Sequence, residues 1–180
     1  SRLYLFENGP QGVRLVTDHY ASIGKQGYDK LAEGDQKTPL GVYFISDSID
    51  PKVLEDRFGS GALALNYPNA YDRVAGRTGS GILLHGVPSS TYSRAPRSTD
   101  GCVALSNDDL LRLARTIVPR DTPVVIAESL NWVDPQDSRE QHGAFLQALQ
   151  QWQTARMSQD EATLARLLRF MGPDATAAAR

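Results

Sequence analysis

The sequence holds a single cysteine, Cys102, which excludes an internal disulfide. Cys102 is then a buried small hydrophobe, a partner for another chain, or a reactive thiol, and the count alone does not choose. No stretch reaches the roughly 18 consecutive apolar residues of a membrane helix, so no membrane span is expected. The net charge is only -2 at pH 7. No global basic field therefore draws this chain to nucleic acid. There are three histidines. His19 and His142 stand in contexts unrelated to His85, and with one cysteine the ligand set for zinc is short, so no metal and no other cofactor is expected. Residues 1–7 lack the length and cleavage region of a signal peptide; a cytoplasmic protein and one whose leader has been removed both fit. No internal repeat is present, and no low-complexity tract beyond the alanine-rich last residues.

What is present is ordinary globular material. The 180 residues are 41% hydrophobic and 22% charged, which suits one full domain with a short appendage. The first half reads as strands and turns. Residues 2–7 and 12–17 alternate with a period near two around Asn8-Gly9-Pro10, as a hairpin does. Residues 20–23 read as a strand closed by Gly24. After the turn Pro39-Leu40-Gly41, Val42-Tyr43-Phe44-Ile45 is a strong strand segment. Asp50-Pro51 opens a short helix that Gly59 ends. Residues 62–65 form a brief apolar strand. Ile82-Leu83-Leu84 is apolar at every position, as a strand buried on both faces is.

A loop from Gly86 to Gly101 follows and ends in the apolar run Cys102-Val103-Ala104-Leu105. Ser106 caps a helix whose apolar face runs from Leu110 to Ile117, with Asp108 and Asp109 complementing its dipole. Residues 122–127 form a last strand, with Pro123 at its start or on an edge. From Glu128 the character changes. Residues 131–141 are polar and irregular. Phe145, Leu149 and Trp152 then recur at helical spacing, and Ser158-Gln159-Asp160-Glu161 reads as a capping box opening a helix with Leu164, Leu167 and Leu168. Two such helices cannot bury their faces alone. They pack on the first domain, on another copy, or belong to a further domain. The expected organisation is a domain over 1–128 and a linker with an amphipathic helical pair over 129–180.

The informative stretch is residues 82–105. His85-Gly86 ends a buried strand, and Ser98-Thr99-Asp100-Gly101-Cys102 begins the next apolar run. The loop between them is long enough to leave one strand end and return beside it. A free thiol has a pKa of about 8.5, so little of it is thiolate at neutral pH. A neighbouring imidazole takes the proton as attack occurs. A backbone carbonyl, that of Gly86, or a nearby serine is the expected orienting group for its second ring nitrogen. The amides near Gly101 and Cys102 are candidate oxyanion donors, and a glycine before the nucleophile keeps that approach open. Beside this stands the plain reading, a packed core cysteine and a satisfied histidine at a strand end.

The block from Leu84-His85-Gly86 to Ser98-Thr99-Asp100-Gly101-Cys102-Val103-Ala104-Leu105 resembles the YkuD-type L,D-transpeptidase family. Lys37-Thr38-Pro39-Leu40-Gly41-Val42-Tyr43 is similar to that family's TPxG strand entry. The resemblance covers roughly residues 1–128. It implies a mainly β, sandwich- or barrel-like catalytic domain with short helices, followed here by a C-terminal helical segment. It implies that Cys102 attacks a diaminopimelate carbonyl in a peptidoglycan stem, that D-alanine leaves, and that His85 is the base. Stem peptides are then donor and acceptor, and the location is the periplasm or cell envelope. An acceptor amine makes the enzyme a transpeptidase; water makes it an L,D-carboxypeptidase. Ser98, Gly101 and Gly86 match positions around the site.

The chain departs from the family pattern at two places. Asp100 stands where the family often has histidine, and Ala104 where it often has arginine or asparagine. Asp100 adds negative charge near a thiolate, which raises the thiol pKa if the side chain points inward. Arg94 or Arg97 is the expected substitute donor to a substrate carboxylate. Tyr92, with Tyr67 and Tyr71, is expected in loops bordering the cleft, where amphipathic surface tyrosines are also ordinary. Asp100 also leaves room for a non-catalytic wall-binding module. The segment Phe145-Leu146-Gln147-Ala148-Leu149-Gln150-Gln151-Trp152 resembles the first helix of an NTF2-like domain, which follows the catalytic domain in one branch of the family.

Overall fold

The computed structural model describes residues 1–10 and 12–168. The chain divides into two compact units, Ser1–Glu128 and Ser129–Arg180.

The first unit is mainly β. Strands β1 (Arg2–Gly9) and β2 (Gly12–Tyr20) form the expected antiparallel hairpin. A short β3 (Ile23–Gly24) follows, then β4 (Gly41–Ile49). Next come β5 (Ala62–Leu65), helix α1 (Ala70–Val74), β6 (Leu83–His85), β7 (Arg97–Thr99) and β8 (Val103–Ala104). Helix α2 (Asn107–Ala114) and β9 (Pro123–Ile126) complete it. A five-stranded mixed sheet has the order β8-β6-β5-β4-β9, and β3 pairs with β7 in parallel. Pro123 lies on the edge strand β9, where its missing N–H costs no ladder bond.

The core gathers in the short apolar segments and not in the alternating hairpin, where Val13 and Leu15 are exposed. Tyr43, Ile45, Leu63, Leu65, Leu84 and Leu105 are all buried, and Leu110 and Leu113 of α2 close over them. Each such side chain contributes roughly 1.5–3 kcal/mol by leaving water. Ser106 caps α2 by accepting from Asp109 N at 3.2 Å. The helix stops at Ala114, and Ile117 packs on the core from beyond its end.

Several local expectations are corrected. The strand expected over residues 20–23 is split, because Ser22 leaves the hairpin to exchange two backbone bonds with Ala104 (both 2.9 Å). The segment after Asp50 is two 3₁₀ turns, Pro51–Val53 and Asp56–Phe58, separated by extended Leu54 and Glu55. Asp50 does cap the first turn, and Gly59 ends the second at φ 63°. The loop over 86–101 contains β7, too short to show alternation. Tyr67, expected on a loop surface, is buried and donates to Thr78 O.

The second unit is helical. Helix α3 (Pro135–Met157) starts within the stretch expected to be irregular, since Asp134 caps it by accepting from Gln136 N at 2.7 Å. Ser158 does not open the next helix. It ends α3, its hydroxyl donating back to Thr154 O at 2.9 Å, and Asp160 caps α4 (Glu161–Leu168) by accepting from Thr163 N. Leu164 and Leu167 are half-buried. The alanine-rich end lies outside the described residues. No described helix is long and apolar enough to cross a membrane.

Leu84→Ala, at the centre of the first unit's core, is expected to lower unfolding free energy in urea by about 2–5 kcal/mol. Val13→Ala, on the exposed hairpin, is expected to stay within about 0.5 kcal/mol.

Candidate active site

Strands β6 and β8 pair in parallel, with Leu84 opposite Val103 and His85 opposite Ala104. One step back in this register sets Cys102 beside Leu83. Carried one residue past the start of β8, the alternation of side chains puts Cys102 on the face of His85. With strands 4.8 Å apart and a 3.3 Å rise per residue, their Cα atoms are about 8 Å apart, within reach of an imidazole and a thiol. The Leu83 N–H points at the sulfur, and the thiol donates to Gly81 O at 3.5 Å.

The turn before Cys102 is held from two sides. Thr38, 1% exposed, donates its hydroxyl to Gly101 O at 2.9 Å and accepts from Gly24 N at 3.0 Å. Thr99 donates to Cys102 O and accepts from Gly101 N. Gly101 sits at φ 129°, and a Cβ there would lie 2.8 Å from Lys37 O. Only glycine fits this conformation against the Lys37-Thr38 backbone. The two sequence motifs thus meet in space because one grips the other.

His85 is buried, with its Nδ1 2.7 Å from Gly86 O. A carbonyl only accepts, so Nδ1 carries the proton and Nε2 keeps its lone pair. The ring packs edge-on against Phe58 (centroids 5.2 Å apart), and the Arg57 guanidinium lies 4.8 Å from the centroid of that phenyl ring. Burial pushes the imidazole pKa down to about 4; the Gly86 carbonyl opposes this, and the positive charges of Arg94 and Arg57 add to it. Burial also pushes the Cys102 thiol up from its ordinary value, the Leu83 N–H opposing and the Asp100 charge adding. At neutral pH both groups are therefore uncharged.

A cleft of ≈ 330 Å³ opens at the sulfur, walled by Lys30, Glu33, Gly79, Gly81, Asp100 and Cys102. Its far wall is stiff. Buried Lys30 donates to Asp35 at 2.7 Å and to Ala32 O at 2.9 Å. Asp35 also accepts from the N–H groups of Leu31, Ala32 and Lys37; burial opposes its ionisation, but the Lys30 bond first and these N–H groups after it hold the carboxyl well below the usual range.

The other candidates are distributed unevenly. Asp100 is on the cleft rim but turns outward to Lys25 (2.7 Å) and Gln36 (3.1 Å). Arg94 donates to Arg57 O at 3.0 Å, and its charge reaches both His85 and Cys102. Arg97 lies instead against Gly27, and a Cβ there would sit 3.7 Å from its guanidinium carbon. Ser98 shares a hydrogen bond with the buried Ser22 hydroxyl at 3.0 Å, inside the β3–β7 seam. Tyr92 is 79% exposed. Gly101 is at the site, but its N–H is bonded to Thr99, so the expected pair of oxyanion amides loses one member. Arg57, Phe58 and Asn107 were not singled out by the sequence, because no local pattern marks them. Among the described residues no group of three or more histidine, cysteine, aspartate or glutamate side chains could hold a metal.

Two pH effects follow. His85 has its folded pKa depressed from 6.5 to about 4, so its stabilising contribution is whole above pH 6.5 and lost as pH falls to 4. The loss is about 3 kcal/mol, and His85→Gln is expected to flatten that limb of a urea-stability profile. Because the thiol is raised, iodoacetamide labelling of Cys102 is expected to have its midpoint above pH 9.0. A midpoint below pH 7 would reveal a preformed thiolate–imidazolium pair and contradict the neutral resting state.

The family model of the YkuD L,D-transpeptidase catalytic domain matches residues 1–126. Among solved structures, Bd1075 of Bdellovibrio bacteriovorus is 32% identical with a TM-score of 0.70, covering 90% of this chain and 56% of its own. The helical cell shape determining protein Pgp2 of Campylobacter jejuni is 30% identical with a TM-score of 0.75, covering 91% of this chain and 55% of its own. The chain thus spans little more than half the length of these two relatives. No curated protein matches it. The match over most of the chain, on a fold that sets one thiol and one imidazole on a common sheet face, places this protein in the YkuD family of L,D-transpeptidase catalytic domains.

Proposed function

We propose that this protein is a peptidoglycan L,D-transpeptidase in which Cys102 is the nucleophile and His85 its base. The observation that carries the reading is the shared face of β6 and β8, with the lone pair of His85 Nε2 left available by the Gly86 carbonyl. The cleft at the sulfur gives a peptide access.

The stem carbonyl enters beside Cys102. As Sγ bonds to the carbonyl carbon, its proton passes to His85 Nε2. The neutral resting pair means that proton transfer and attack occur together rather than from a standing thiolate. The backbone N–H of Cys102 faces the developing oxyanion. The C–N bond then breaks, His85 returns its proton to the departing D-alanine amine, and a thioester remains. An acceptor amine then attacks that thioester, giving its proton to His85; the C–S bond breaks, His85 returns the proton to the departing Cys102 sulfur, and a cross-link forms. Arg94 meets the terminal carboxylate of the stem in place of the donor lost at Ala104, and Arg57 reinforces the positive field there. Lys25 and Gln36 hold the Asp100 carboxylate at the rim, where its charge still opposes ionisation of the thiol. The substrate implies an extracytoplasmic location. The similarity to a helical cell shape determining protein supports a part in cell shape.

Incubation with a tetrapeptide stem, with products read by mass spectrometry, tests this. Cross-linked dimer is expected. Free tripeptide without dimer would make the enzyme an L,D-carboxypeptidase, which differs only in using water as acceptor. Neither product, with the stem still bound, would make it a wall-binding module. Cys102→Ala is expected to abolish turnover. His85→Ala is expected to lower it about 10²–10⁴-fold. Arg94→Ala is expected to cost about 10-fold or more in kcat/KM, the loss of one charge-assisted bond.

A further inference from the structure

Asn107 is the first residue of α2, on the same segment as Cys102, yet its side chain reaches back to the histidine segment. Its Oδ1 accepts from Ser60 N at 2.9 Å and from Val87 N at 3.1 Å, and its Nδ2 donates to Val87 O at 2.9 Å. Its own carbonyl accepts from the Ser60 hydroxyl at 3.1 Å. One amide thus satisfies three backbone groups, at the entry to β5 and the exit of β6, which is most of what an asparagine side chain can do.

The space around it is fitted to it. A Cβ on Gly86 or on Gly59 would lie 2.1 Å from Oδ1, and backbone atoms of Ser60 and Val87 crowd the same positions (2.9 Å at Gly86, 2.4 Å at Gly59), so both admit only glycine. Gly86 is the residue whose carbonyl holds His85 Nδ1, and its N–H donates to Phe58 O at 2.9 Å. The Phe58 ring meets the imidazole edge-on. Asn107 therefore grips the peptide on the far side of Gly86, and the Phe58 carbonyl grips the near side.

We propose that Asn107 is a positioning residue for His85: by clamping Val87 and Ser60 around Gly86 it fixes the Gly86 carbonyl that sets the imidazole tautomer and aims Nε2 at Cys102. This rests on the reading of His85 as the base. Outer-shell groups that fix a ligand or catalytic histidine typically matter 10- to 100-fold. The device also couples the two halves of the site, because Asn107 moves with the segment that carries Cys102.

The test is the ring-nitrogen spectrum of His85 in the ¹⁵N-labelled full chain at neutral pH, assigned with His85→Gln. The native chain is expected to show one tautomer, with the proton on Nδ1. Asn107→Ala is expected to show a mixture with the Nε2–H form, and on a tetrapeptide stem to lower kcat about 10- to 100-fold with KM within about two-fold. Asn107→Asp keeps the two acceptor bonds and loses the donor to Val87 O; a smaller change in the same direction is expected, and it serves if the alanine variant does not fold. Leu113→Ala, a buried change elsewhere on α2, controls for lost stability and is expected to keep the single tautomer. The proposal fails if the Asn107 variants retain a pure Nδ1–H ring, or if Leu113→Ala disturbs it equally. If His85→Gln retains turnover, the base reading fails separately, while the ring spectrum still decides what Asn107 does.

Discussion

The parallel pairing of β6 with β8 is the constraint on which the site depends. Two strands running the same way cannot be joined by a tight turn, so the chain must leave at His85 and return at Cys102 by a crossover. That crossover carries β7, which is tied to β3 and so anchors the returning chain before it reaches the cysteine. The register then decides everything chemical. A slip of one residue would send the thiol to the opposite face from the imidazole. The bonds that guard against a slip are on either side of the pair: Ser22 with Ala104, Thr38 with Gly101, and Asn107 with Val87.

Burial sets the electrical character of the pair. Both the imidazole and the thiol are pushed toward their neutral forms, because a charge there would lack water. The positive charges of Arg57 and Arg94 act on both groups, while Lys30, Glu33 and Asp100 line the cleft at the sulfur. The arrangement favours a reaction in which charge develops only when substrate has displaced water. Lys25 and Gln36 draw the Asp100 carboxylate to the rim beside the Cys102 thiol.

Much of the fold was legible because alternation, caps and turns are local signals. The hairpin around Asn8-Gly9-Pro10, the strand after Pro39, the Ser106 cap and the edge position of Pro123 all follow from residues within a few positions of one another. The elements that were missed are those whose cause is distant. β7 exists because Ile23 and Gly24 lie beside it, and the turns after Asp50 break so that Phe58 meets His85. The Ser158 box failed since α3 runs through to Met157 and uses that hydroxyl itself.

The sequence by itself determined the chemical inventory: one thiol, a histidine at a strand end, a glycine before the cysteine, and a threonine-proline strand entry. These are fixed by residue type and spacing, and they sufficed to name the family. Only the tertiary structure decided which groups serve them. It turned Ser98 into a seam contact and sent Arg97 to Gly27, while bringing Phe58 to the imidazole, Arg57 over the Phe58 ring and Asn107 to the Val87 backbone. The physical reason is that a hydrogen bond or a ring contact acts over a few ångströms in space, and the crossover between β6 and β8 brings together residues that are far apart along the chain.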